Sequence, residues 1–142
     1  LMVTGFLVGG SVSSGLAPFV FGVALMLAYA FVMSWVGVWL GMRLPSVEVA
    51  QQVSFTVILP LTFVSNVFVP IGTLPDWLQP IAAWNPVSTL TASLRELWGN
   101  PNPFPSSGLP ADYPVLVTMG WMVVMLAVFA PLGVRKYRSI SS

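Results

Sequence analysis

The 142-residue sequence is 56% hydrophobic with a mean hydropathy of +0.89, and only 6% of its residues are charged, against about a quarter in ordinary soluble domains. Such a composition belongs to an integral membrane protein. A net charge of +1 with no basic face excludes nucleic acid, and the absence of Cys and His removes disulfides, thiol nucleophiles, Cys/His metal sites and imidazole acid/base chemistry.

Residues 1–8 are apolar but too few to cross a hydrocarbon core of about 30 Å, which takes about 20 helical residues. With no basic residue ahead of them they do not read as a signal peptide. We expect the end of a span that begins upstream, followed by a Gly/Ser turn over residues 9–15. Residues 17–40 form the clearest span, with no charge along their length. Trp35 and Trp39 near the end of that run and Arg43 just beyond it have the arrangement of an aromatic anchor beside a cytoplasmic charge.

Residues 49–69 predict another uncharged span. Gln51, Gln52, Thr56, Thr62, Ser65 and Asn66 lie within it, and Pro60 stands at its middle. Pro60 has no N–H for the Thr56 carbonyl, so a kink or local loosening is expected. Backbone groups freed in lipid have no water to bond, so this helix should face protein or a hydrated path. Thr62, Ser65 and Asn66 would serve there as helix-to-helix hydrogen-bonding groups or as the lining of a path.

Residues 70–112 hold eight of the thirteen prolines and form an external cap and linker. Thr73, Pro75 and Asp76 predict one helix start, after which Trp77, Leu78, Ile81 and Trp84 share a face. Asn85–Pro86 predicts a second, with Val87, Leu90, Leu94, Leu97 and Trp98 as its apolar stripe and Gly99 as its stop. Arg95 lies off that stripe, placed for a pair with Glu96 or for snorkelling. Trp77, Trp84 and Trp98 read as interfacial anchors.

Residues 113–134 are the last span and 135–142 a tail containing Arg135, Lys136 and Arg138. These three and Arg43 are the topology anchors: with all four in the cytoplasm, only Arg95 is outside and the carboxy terminus is cytoplasmic. The spacings Gly5-x-x-x-Gly9 and Gly37-x-x-x-Gly41 would allow close helix approach. There is no phosphate-binding loop, and Glu48, Asp76, Glu96 and Asp112 are too dispersed for an acid/base pair, so neither an enzyme nor a cofactor site is expected.

The order PLTF, Ser65, FVP, LP.WLQ, NP and Arg95 resembles the carboxy-terminal half of permease subunits of ABC type-2 exporters, in particular the daunorubicin-resistance group. The resemblance runs best from about Arg43 to Arg138. It implies an all-α, polytopic membrane helix bundle with a short-helix external cap between the last two spans, here as one partial transmembrane domain. It further implies a multi-pass protein of the plasma membrane, here a bacterial inner membrane, that exports a hydrophobic drug-like or lipid-linked compound. The partners implied are a separate ABC ATPase subunit, a second permease subunit and the lipid bilayer. Under that resemblance Pro60, Thr62, Ser65 and Asn66 are candidates for a hinge or translocation path, and Pro70, Asn85, Pro86 and Arg95 for an external gate. The alternative is an orphan or truncated membrane protein that assembles with or regulates a longer permease.

Overall fold

The computed structural model describes residues 15–65, 67–100 and 108–140. The expected partial span at 1–8, most of the Gly/Ser turn, the Gly5/Gly9 spacing, Asn66, most of the linker at 100–110 and the last two tail residues lie outside them. Among the described residues there is helix and turn and no strand. The described residues form six helices in order: α1 (Leu16–Gly41), α2 (Val47–Phe63), α3 (Gln79–Trp84), α4 (Pro86–Leu97), α5 (Leu109–Asp112) and α6 (Pro114–Ile140), with a 3₁₀ turn at Ile71–Thr73 before α3.

Among the described residues only α1 and α6 are both long and apolar enough to cross a membrane, each about 40 Å at 1.5 Å per residue. α6 outruns the expected span and carries Arg135, Lys136 and Arg138 on helix rather than on a free tail. α2 is shorter than the uncharged run that suggested it. It begins at Val47, where the Ser46 hydroxyl accepts from the Val49 N–H. The backbone N–H of Glu48 and the Ser46 hydroxyl hold the Glu48 carboxyl below its usual range. α2 stops at Phe63, where the chain tightens and the Ser65 N–H and hydroxyl both donate to the Thr62 carbonyl. Its 17 residues rise about 25 Å, short of a full hydrocarbon core.

The first cap helix also begins later than the Thr73–Asp76 pattern suggests. The Thr73 hydroxyl donates to the Pro70 carbonyl instead of capping a helix, and α3 starts at Gln79. The second starts as expected: Pro86 is its first residue, the Asn85 side chain caps it, and Gly99, at φ +69°, turns the chain after its end.

α1, α4 and α6 pack together. Trp98, at the end of α4, lies on Gly22 of α1, where an added Cβ would come within 2.5 Å of its Nε1. At the far end of α1 the Trp35 ring covers Gly133 of α6, Trp39 meets Phe129 edge-on at 5.2 Å, and the Arg43 guanidinium stands 4.7 Å above Trp39. Gly37 and Gly41 face open space.

Among the described residues the polar Ser65, Asn85, Ser88, Thr89, Ser93 and Thr118 are buried beside Leu25, Tyr29, Val32, Ile71 and Ala82, while Leu27, Phe31, Leu116 and Val123 are 59–67% exposed. Apolar side chains outside and small polar ones between helices are what a bilayer selects, because lipid rewards no apolar burial and leaves polar groups only each other to bond.

Candidate functional site

The end of α2, the cap and the amino-terminal half of α6 meet at one joint, and Asn85 is its pivot. The final carbonyls of any helix lack intrahelical donors. In α2 the Pro60 carbonyl accepts from the Val64 N–H and the Thr62 carbonyl from Ser65, and the Leu61 carbonyl finds its donor outside the helix. The Asn85 Nδ2 donates to the Leu61 carbonyl at 2.8 Å, while its Oδ1 accepts from the Val87 N–H at 2.9 Å. One buried amide therefore closes the end of α2 and the start of α4 together. Aspartate or serine would serve the second bond alone; the first needs an N–H donor of this reach.

Two further contacts fix the cap to α6. The Trp121 Nε1 donates to the Trp84 carbonyl at 2.9 Å, at the last residue of α3. The Ser93 and Thr118 hydroxyls, both fully buried, lie 2.9 Å apart, and the Ser93 Oγ also donates to the Thr89 carbonyl at 2.7 Å. Ser93 has a single proton, committed to Thr89, so Thr118 is the donor between the two hydroxyls.

A groove of about 480 Å³ opens at this joint. Pro60, Leu61 and Val64 of the α2 end form one wall, Leu78, Ile81 and Trp84 the other, and Asn85, Pro86 and Trp121 close it. None of the lining side chains is charged. Its volume falls within the range of about 300–1,000 Å³ typical of small-molecule sites.

Of the candidate path residues, Pro60 borders this groove. Thr62 instead turns its hydroxyl back to the Ile58 carbonyl, and Ser65 is buried in the turn after α2. Of the candidate gate residues, Asn85 and Pro86 line the groove with Pro60. Pro70 lies before the 3₁₀ turn and Arg95 in the last turn of α4, and neither lines it. Partial burial lowers the pKa of the Arg95 guanidinium. Trp121, Thr118 and the Leu61 carbonyl were not singled out by the sequence: a backbone acceptor leaves no trace in residue identity, and Trp and Thr are unremarkable in an apolar run.

Residues 1–97 match the ABC-2 type transporter family. The daunorubicin resistance ABC transporter permease protein DrrB1 of Streptomyces coeruleorubidus is 33% identical over 135 residues, covering 95% of this chain and 45% of that protein. The putative transport permease ycf38 of Cyanophora paradoxa is 28% identical over 101 residues, 71% of this chain and 35% of its own. The chain thus spans less than half the length of these curated relatives. No solved structure gives a significant match. With its apolar helices, exposed apolar surface and family match over two thirds of its length, the chain belongs to the ABC-2 type transporter family of membrane permeases.

Proposed function

We propose that the chain is the membrane-spanning permease part of an ATP-driven ABC exporter that moves a hydrophobic drug-like or lipid-linked compound out of the cell. The observation that carries this reading is the similarity to DrrB1 along 95% of the chain. ATP hydrolysis belongs to a separate ATPase subunit, and a second permease subunit completes the path. α2 lends support, because it contributes no buried residue and so leaves its apolar surface for a neighbour. On this reading Pro60, Thr62, Ser65 and Asn66 belong to the hinge and path, and Pro70, Asn85, Pro86 and Arg95 to the external gate. The shared groove of Pro60, Asn85 and Pro86 favours a coupling between the two sets. Arg43, Arg135, Lys136 and Arg138 face the cytoplasm, by the bias of basic residues toward that side, in a membrane we take to be the bacterial inner membrane.

The test is assembly with function. Co-expressed with the remainder of the permease and its cognate ATPase, the chain should co-purify with both, and hydrophobic compounds should stimulate ATP hydrolysis by the reconstituted complex. Failure to engage an ATPase, with stable assembly onto a longer permease, would replace this reading by that of an accessory membrane protein.

A further inference from the structure

α2 ends before its hydrophobic sequence does. The uncharged run continues to Val69, but the helix stops at Phe63. At that end the Val64 N–H still reaches back four residues to the Pro60 carbonyl, as in an α-helix, whereas the Ser65 N–H reaches back only three, to Thr62 at 3.1 Å. Four residues back from Ser65 is Leu61, whose carbonyl accepts from the Asn85 Nδ2 at 2.8 Å. The donor that would continue α2 thus stands one carbonyl away from the acceptor that ties α2 to the start of α4. Residues 64–69 contain no charge, glycine or proline, so nothing in their sequence forbids another helical turn. Pro70 bounds it, because a proline disfavours helix at the residue before it.

We infer that the Leu61 carbonyl is a two-position switch. In one position it accepts from Asn85, α2 stops at Phe63, and the start of α4 is held against the α2 end, as in this structure. In the other it accepts from the Ser65 N–H, α2 runs on to Phe68, and Asn85 keeps only its bond from the Val87 N–H. A helical turn over residues 64–68 would stand over that carbonyl where the Asn85 amide now approaches, so the two arrangements compete. The bond from the Ser65 N–H to Thr62 and the contact of the Phe63 and Phe68 rings at 6.1 Å belong to the stopped helix. Five positions apart on a continued helix, those rings would point about 140° away from each other. The continued helix gains intrahelical backbone bonds instead. Bilayer thickness biases the choice. The stopped helix rises about 25 Å and the continued one, five residues longer, about 33 Å, on either side of a hydrocarbon core of about 30 Å. Phe63 and Phe68, 61% and 65% exposed, lie on the segment that a thicker core would cover. The switch is built from this chain's own backbone and one side chain, so it holds whatever compound is transported and whatever packs against α2.

The test is amide hydrogen exchange, read by mass spectrometry on the full chain in phosphatidylcholine nanodiscs. Monounsaturated acyl chains of three lengths give cores thinner than, near and thicker than about 30 Å. Protection over residues 64–68 should rise with thickness. Asn85→Ser keeps an acceptor for the Val87 N–H but gives up the donor to Leu61. It should raise that protection about three- to tenfold in any one bilayer, the worth of one buried hydrogen bond, with protection over α4 unchanged. Adding Val67→Pro, which cannot continue a helix, should bring the protection back to its starting level or below; the bond this proline removes, from the Val67 N–H to the Ser65 Oγ, is long at 3.4 Å. Protection over residues 64–68 that falls in Asn85→Ser would make Asn85 a passive clamp on a fraying end and overturn the switch. So would equal protection in all three bilayers for the unmodified chain, a comparison that involves no substitution.

Discussion

The pair Ser93–Thr118 gives the sharpest test of how the cap is seated on α6. Thr118→Val keeps the shape and removes one buried hydroxyl bond, leaving Ser93 with its Thr89 acceptor; this should cost about 0.5–1.5 kcal/mol. Ser93→Ala leaves the Thr118 proton buried without its partner and should cost about 1–2 kcal/mol, less if the threonine hydroxyl rotates onto a carbonyl of its own helix. Hydrogen bonds between helices in bilayers average about 0.6 kcal/mol and reach about 1.7. Full burial places this one in the upper part of that range. The double variant should therefore be more stable than the sum of the single losses implies, by about 1–1.5 kcal/mol. The assay is denaturation in mixed micelles, followed by far-UV circular dichroism, on the unmodified chain and the three variants. Additivity within about 0.3 kcal/mol would show that the hydroxyls do not interact and that the cap is not held to α6 as described.

Gly22→Ala would put a methyl 2.5 Å from the Trp98 Nε1, so either the indole or α1 must shift; a loss of about 1–3 kcal/mol is expected, largely recovered when Trp98→Leu is added, as read by the same denaturation. Asn85→Ser keeps a cap for Val87 but cannot reach Leu61, whereas Asn85→Ala loses both bonds. The alanine variant should be less stable than the serine variant by about 0.5–2 kcal/mol, and equal stabilities would remove the cap function from Asn85. Orientation can be read in this cysteine-free chain: with a membrane-impermeant thiol reagent in intact cells, Asp112→Cys should label and Ser139→Cys should not, and the reverse pattern would invert the topology.

Much of the architecture is legible from composition, because uncharged runs near 24 residues and Asn-Pro helix starts have direct physical meaning. α1, α6 and the start of α4 follow from those signals alone. The inward face of α4 does not. Its Val87, Leu90, Leu94 and Leu97 stripe marks the core side in water, yet the buried residues are Ser88, Thr89 and Ser93, with the leucines only partly covered. Lipid reverses the meaning of the stripe. The end of α2 was equally hidden: hydrophobicity continues to Val69, but hydrogen bonding from Ser65 stops the helix at Phe63. The joint depends on pairs 24, 25 and 37 residues apart in sequence, Asn85 with Leu61, Ser93 with Thr118 and Trp121 with Trp84, which no local pattern announces. Gly22 and Gly133 act as contact glycines without the paired spacing found at Gly37 and Gly41, which lie in open space.

The most direct test of the account is efflux. Cells carrying this chain, the remainder of its permease and the cognate ATPase, at matched expression, are loaded with a hydrophobic fluorescent compound and the outward rate is followed. Export is expected with the active ATPase and none above background when that partner binds ATP but cannot hydrolyse it. Undiminished export with the hydrolysis-dead partner would contradict it.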